Sequence, residues 1–196
     1  DKNGKVLRNA ILWCDARTQK QCDEITTLVG KKRLIEINAN PALTGFTAPK
    51  ILWVRENEPE IYKQCATILL PKDYVRYMLT GQKAQEISDA SGTNLLDITK
   101  RQWSQEILDK LSIDKNLLPP LVDSEAIAGT ITKEIAELTG LKEGTIVAGG
   151  AGDNAAAALG TGVCKEGDAF VTLGTSGVIF AHTNKPAIDP LGRVHT

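Results

Sequence analysis

Ile146-Val147-Ala148-Gly149-Gly150-Ala151-Gly152-Asp153-Asn154-Ala155-Ala156 reads as a strand, a glycine-rich turn and the start of an alanine-rich helix. Strand, turn and helix in that order are the unit from which α/β folds are built. Glycines at such a turn allow a tight reversal and the close approach of a ligand. The helix start adds unpaired N–H groups and a partial positive charge. Asp153 stands at that point and has two readings. It can cap the helix, or it can offer a carboxylate for proton transfer. The segment Gly150-Ala151-Gly152-Asp153-Asn154-Ala155 also fits the dinucleotide fingerprint. Against that, an Asp inside the turn would repel a pyrophosphate. The fingerprint also needs an acidic residue about 20 positions on, at the end of the next strand, whereas Asp168 precedes its strand.

Downstream, apolar runs at 169–173 and 178–181 predict a hairpin around Gly174-Thr175-Ser176-Gly177. Two hydroxyls between two glycines suit either an ordinary turn or an anion nest. Upstream, Asn3-Gly4 signals a turn, and 6–7 and 10–13 read as strands. Asp15 caps a helix over 16–29 that Gly30 ends. Lys31-Lys32-Arg33 reads as a solvated helix end. Thr47 caps a further helix with Pro49 in its first turn, and Pro59 opens a helix over 60–66. Residues 67–70 read as a buried strand, 72–79 as a helix closed by Gly81, and 88–93 as a polar turn. A helix over 103–111, a loop at Pro119-Pro120, strands over 127–131 and 145–148, and a helix over 133–138 complete the pattern. Trp13, Trp53 and Trp103 read as core, Asp15 and Arg17 as a structural pair, and Lys72 and Asp73 as surface charges.

Composition excludes several functions. Lys and Arg number 23 against 24 Asp and Glu, so the chain is not a generally basic nucleic-acid binder. The only histidines, His182 and His195, cannot form a HExxH site, and proton transfer falls to Asp or Glu. The four cysteines, at 14, 22, 65 and 164, lack CxxC spacing, which predicts free thiols in a reducing cytoplasm. No apolar run approaches the ~20 residues of a membrane span.

A kinase mechanism joins the two glycine-rich segments. Phosphoryl transfer needs a base at the acceptor hydroxyl and a cradle for the transferred group. Asp153 would be the base and Gly174, Thr175, Ser176 and Gly177 part of the cradle.

At these two segments the sequence resembles the FGGY carbohydrate kinases. Further blocks follow in family order: Trp13-Cys14-Asp15-Ala16-Arg17, Gly45-Phe46-Thr47-Ala48-Pro49-Lys50, Leu52-Trp53-Val54 with Glu58-Pro59-Glu60-Ile61-Tyr62, Leu69-Leu70-Pro71-Lys72-Asp73-Tyr74, and Ser88-Asp89-Ala90-Ser91-Gly92-Thr93. The resemblance implies an α/β, ribonuclease H-like (actin-like ATPase) domain. It also implies an incomplete one, lacking its first strands and the C-terminal domain, so that 1–196 is the central and C-terminal part of the first, sugar-binding domain. The implied reaction is ATP-dependent phosphorylation of D-xylulose at its C5 hydroxyl, with Mg²⁺ accompanying ATP. Asp153 matches the family's base, Asn154 its neighbouring sugar contact, and Gly174-Thr175-Ser176-Gly177 its second phosphate loop. Ala151 departs from the common Gly-Gly-Gly-Asp-Asn form. The implied partners are sugar and ATP, with no nucleic acid or membrane and with a homodimer as the candidate assembly. Other acceptors (ribulose, gluconate, glycerol), an NAD-dependent oxidoreductase and a non-catalytic sugar-binding module are the competing readings.

Overall fold

The computed structural model describes residues 1–174 and 177–196. Helices α1 (Gln19–Val29), α2 (Lys31–Asn38), α3 (Thr47–Asn57), α4 (Pro59–Gln64) and α5 (Pro71–Thr80) come first. Then follow β1 (Gln85–Glu86), α6 (Ile87–Ala90), β2 (Leu96–Asp97), β3 (Gln102–Trp103), α7 (Gln105–Leu111), β4 (Leu121–Val122), β5 (Ile127–Thr130), α8 (Lys133–Thr139), β6 (Ile146–Ala148), α9 (Asp153–Gly160), β7 (Ala169–Leu173) and β8 (Gly177–Ala181). The described strands pair in twos: β1 with β4 in parallel, and β2 with β3, β5 with β6 and β7 with β8 antiparallel.

The core lies in the first two thirds of the chain. Apolar side chains at helical spacing supply it: Ile25 and Val29 from α1, Leu34 and Ile37 from α2, Ile51 and Leu52 from α3, and Ile107, Leu108 and Leu111 from α7. Trp103 is buried with them, and its indole N–H donates to the Pro119 carbonyl at 2.9 Å. Helix α5 is inverted relative to this pattern. It buries Asp73, Arg76 and Thr80 and exposes Val75 and Met78.

Several sequence expectations change. Gly30, at φ +89°, ends α1 and starts α2, because its N–H donates to Thr26 and its carbonyl accepts from Leu34. Lys31-Lys32-Arg33 is the solvated helix end expected, but it opens α2. Three cations there oppose the helix dipole, and Arg33 is compensated by Glu36 and Glu106. Residues 6–7 and 10–13 form no strand, and 67–70 form none either, because ladder bonds from a neighbour are what make a strand. Ile68 makes one such bond, to Leu117. Helix α1 begins at Gln19 and not at residue 16, with Thr18 at the cap position, so Asp15 does not cap it; the Asp15 carboxylate is engaged instead by the Arg17 backbone and guanidinium. That is the structural pair the sequence suggested. Arg17 in turn lies 4.9 Å over the half-buried Trp53 ring. Thr47 is the first residue of α3, with Phe46 at the cap position and no capping side chain. Residues 88–93 are α6 and a 3₁₀ turn. Trp13 is 79% exposed, so it is not core.

Candidate active site

The turn at 149–152 is held by its neighbours through three of its N–H groups and one carbonyl. Gly149 N–H donates to the Ala126 carbonyl (2.9 Å), Gly150 N–H to the Ser124 carbonyl (3.0 Å) and Gly152 N–H to Ser88 Oγ (2.9 Å). The Gly149 carbonyl accepts from Arg76 Nη1 at 2.6 Å. The glycines serve this packing. A Cβ on Gly149 would overlap the Asp123 carbonyl oxygen, and Gly150 sits at φ +87°, where side chains are strained. Gly149 thus admits the scaffold, and Gly150 makes the tight reversal expected of the turn.

The same bonds argue against the dinucleotide reading. Three of the N–H groups that would cradle a pyrophosphate, those of Gly149, Gly150 and Gly152, are already spent on protein acceptors. β6 pairs antiparallel with β5, and β7 antiparallel with β8, so no parallel β6–α9–β7 unit exists among the described residues.

Asp153 is the first residue of α9, and Gly152 occupies the cap position. Its exposed carboxylate accepts only from Asn154, through the backbone N–H at 2.9 Å and Nδ2 at 3.4 Å, among the described residues. It does not reach the N–H groups two or three residues on that a capping side chain satisfies. Asp153 and exposed Asn154 are thus presented to solvent on an immobilised turn.

Behind the turn lies a polar cluster that sequence reading missed. Lys72 and Asp73 are not free surface charges. Asp73 is fully buried and bonds Arg76 Nη2 at 2.7 Å, while Arg76 also bonds the Ala84 carbonyl. Lys72 Nζ lies 2.9 Å from Glu86 and 3.1 Å from Asp89. The buried Asp73 Oδ2 and Arg76 Nε have no partner among the described residues. The available signal was Asp73, Arg76 and Thr80 at i, i+3 and i+7, a polar stripe at the spacing normally given to apolar residues.

Glu86 is the hub. It is fully buried, and five donors converge on it. Oε1 accepts from Ser88 N (2.7 Å) and Ser124 Oγ (2.7 Å). Oε2 accepts from Ser88 Oγ (2.7 Å), Asp89 N (3.1 Å) and Lys72 Nζ (2.9 Å). The parallel register makes this possible, since Glu86 pairs with Val122, two residues before Ser124. Burial alone would push the carboxyl up, but the bonds from Ser88, Ser124 and Lys72 outweigh it and hold it at about 2. Asp73 shows the opposite balance: burial pushes it up despite Arg76.

These shifts carry a pH prediction. Glu86 titrates lower in the folded than in the unfolded chain, so the unfolded chain binds more protons between the two values. Its contribution is complete above pH ~4.5 and is lost as pH falls toward ~2, on the order of 3 kcal/mol. Asp73 works the other way and reduces the net change. Denaturant unfolding across pH 2–6 isolates the Glu86 share. The acid-dependent loss should shrink in Glu86→Gln, and an unchanged pH slope would contradict the assignment.

Gly174 and Gly177 stand at the exposed tip of the β7–β8 hairpin, where Leu173 pairs with Gly177. Thr175 and Ser176 lie outside the described residues. The hairpin meets α9 at its other end, where Phe180 and His182 share a shallow pocket with Ala155, Ala158 and Leu159. No hydrogen bond joins Asp153 to the hairpin tip among the described residues. No group of three or more His, Cys, Asp and Glu among the described residues is arranged to hold a metal ion. No described helix is long and apolar enough to cross a membrane. All four cysteines are free, with Cys22 buried, Cys65 half-buried and Cys14 and Cys164 exposed.

Known proteins resemble this arrangement closely. The chain is 50% identical over 195 residues to a xylulose kinase of Lactococcus lactis, covering 100% of this chain and 38% of that protein. A crystal structure of a Brucella ovis xylulose kinase superposes with a TM-score of 0.84 at 45% identity, over 90% of this chain and 36% of that one. The Rhodospirillum rubrum xylulose kinase structure gives 0.93 at 27% identity, over 97% and 39%. The chain thus spans about two fifths of the length of such relatives. Its α/β architecture is that of the actin-like ATPase fold of these sugar kinases. With residues 1–160 matching the N-terminal domain of the FGGY family of carbohydrate kinases, the chain belongs to that family.

Proposed function

We propose that this chain is the base-bearing part of an ATP-dependent D-xylulose kinase, residues 1–196 forming the central and later part of its first, sugar-binding domain. The observation that carries the reading is Asp153: an exposed carboxylate at the start of α9, on a turn whose backbone is bonded into the scaffold on both sides. The relatives named as xylulose kinases support the choice of sugar.

Asp153 accepts the proton of the C5 hydroxyl as that oxygen attacks the γ-phosphorus of Mg-ATP. The new O–P bond forms as the bond from the γ-phosphorus to the β,γ-bridging oxygen breaks. ADP leaves and D-xylulose 5-phosphate remains. Asn154, one residue on, contacts the sugar. The loop of Gly174, Thr175, Ser176 and Gly177 cradles phosphate. Magnesium enters with ATP as part of the substrate. The free cysteines accord with a reducing cytoplasm.

The test is an acceptor screen with a full-length enzyme containing this chain. ATP-dependent phosphorylation should give the highest kcat/KM with D-xylulose. A higher value with ribulose, gluconate or glycerol would reassign the acceptor. Nicotinamide-cofactor binding without ATP binding would remove the kinase reading altogether.

A further inference from the structure

We propose that Ser88, oriented by Glu86, is a positioning residue that sets the backbone carrying Asp153; this rests on Asp153 being the base. Ser88 Oγ is the only described side chain that bonds the residue immediately before Asp153. It accepts the Gly152 N–H at 2.9 Å and donates its own proton to Glu86 Oε2 at 2.7 Å. A serine hydroxyl has one proton and can rotate. Glu86, an acceptor without a proton to give, fixes that rotation. The hydroxyl proton turns to Glu86 and a lone pair is left facing Gly152. The same carboxylate takes Ser124 Oγ at 2.7 Å, and the Ser124 carbonyl holds Gly150 N–H at 3.0 Å. One buried group therefore governs both ends of the turn.

A Cβ on Gly152 would make ordinary contacts, 3.4 Å from Asp89 Oδ1 and 3.7 Å from Ser88 Oγ, so the hydrogen bond rather than crowding places this residue. The Gly152 carbonyl accepts from Ala156 N, so the direction in which α9 leaves the turn, and with it the Asp153 carboxylate, follows from where Ser88 holds Gly152. No hydrogen bond joins the cluster to the exposed Asp153 carboxylate among the described residues, so its proposed influence on the reaction is through geometry.

The experiment uses the full-length enzyme and turnover per folded molecule, with the folded fraction taken from circular dichroism. Ser88→Ala removes the acceptor for Gly152. It should lower kcat roughly ten- to a hundredfold, the scale of an ångström-sized misplacement, with KM for ATP nearly unchanged. Ser88→Thr keeps the hydroxyl and should restore most of kcat. Hydrogen exchange of the peptide spanning 146–156 should quicken in Ser88→Ala and return with Thr. A kcat in Ser88→Ala close to the parent's overturns the proposal, as does an equal loss in Ser88→Thr. Asp153→Asn, measured alongside, separates the two readings. If that variant is inactive while Ser88→Ala is fully active, positioning fails and the base stands. If Asp153→Asn turns over normally, the base reading itself fails.

Discussion

Asp153→Asn is expected to lower turnover of the full-length enzyme by a factor of ~10²–10⁴, the usual worth of a general base, with little change in stability. The structure explains why the two effects separate. The carboxylate is exposed and accepts only from Asn154 among the described residues, and an amide oxygen of the same shape can keep that bond. The fold loses only the attraction between a charge and the first turn of α9, ~0.3–1 kcal/mol. What disappears is the ability to take a proton. Rapid-quench or coupled measurement of ADP release from saturating xylulose and Mg-ATP reads the turnover, and thermal unfolding reads the fold. Near-parental turnover would remove Asp153 from the chemistry. A large drop in unfolding temperature would show that it had been a structural cap.

The 196-residue chain alone is expected to phosphorylate xylulose at least ~10⁵-fold more slowly than the full-length enzyme. Holding two reactants in line supplies about 7–11 kcal/mol of a barrier of this kind, and phosphoryl transfer relies on positioning more than on covalent steps. The chain corresponds to 38% of the Lactococcus lactis kinase it resembles. No three or more His, Cys, Asp or Glu side chains among the described residues are grouped to hold a metal ion. Leu173, beside the proposed phosphate loop, is 89% exposed, and Ile179 on the partner strand is 80% exposed. A hairpin so little packed is a poor anchor for a nucleotide. Comparing steady-state rates of the purified chain and the complete enzyme decides the matter, and ready turnover by the chain would show that its own residues suffice.

Local signals were legible wherever they were self-contained. The 146–156 segment carried its own strand, turn and helix start, and each is present at nearly the expected boundary. The 133–138 helix and the helix after Pro71 were equally readable, because a closing Gly or an opening Pro marks each one, and the hairpin because two apolar runs flank a short Gly-bounded segment. The expected strands at 6–7, 10–13 and 67–70 failed because apolar runs do not reveal whether a neighbour will supply ladder bonds. Trp13 failed for a related reason: aromatic character does not say which side of the chain faces the core.

The sequence determined that a carboxylate begins a helix directly after a glycine-rich turn, since both facts depend only on neighbours along the chain. Tertiary structure alone decided what the glycines and the charges of α5 are for. Arg76, Ser88 and Ser124 are distant from Gly149, Gly150 and Gly152 in sequence and bond them directly, while Glu86 reaches the turn through Ser88 and Ser124, an arrangement that the β1–β4 pairing makes possible. The polar stripe on α5 reads as surface until something buries it. A buried charge is stable only when distant groups supply its hydrogen bonds.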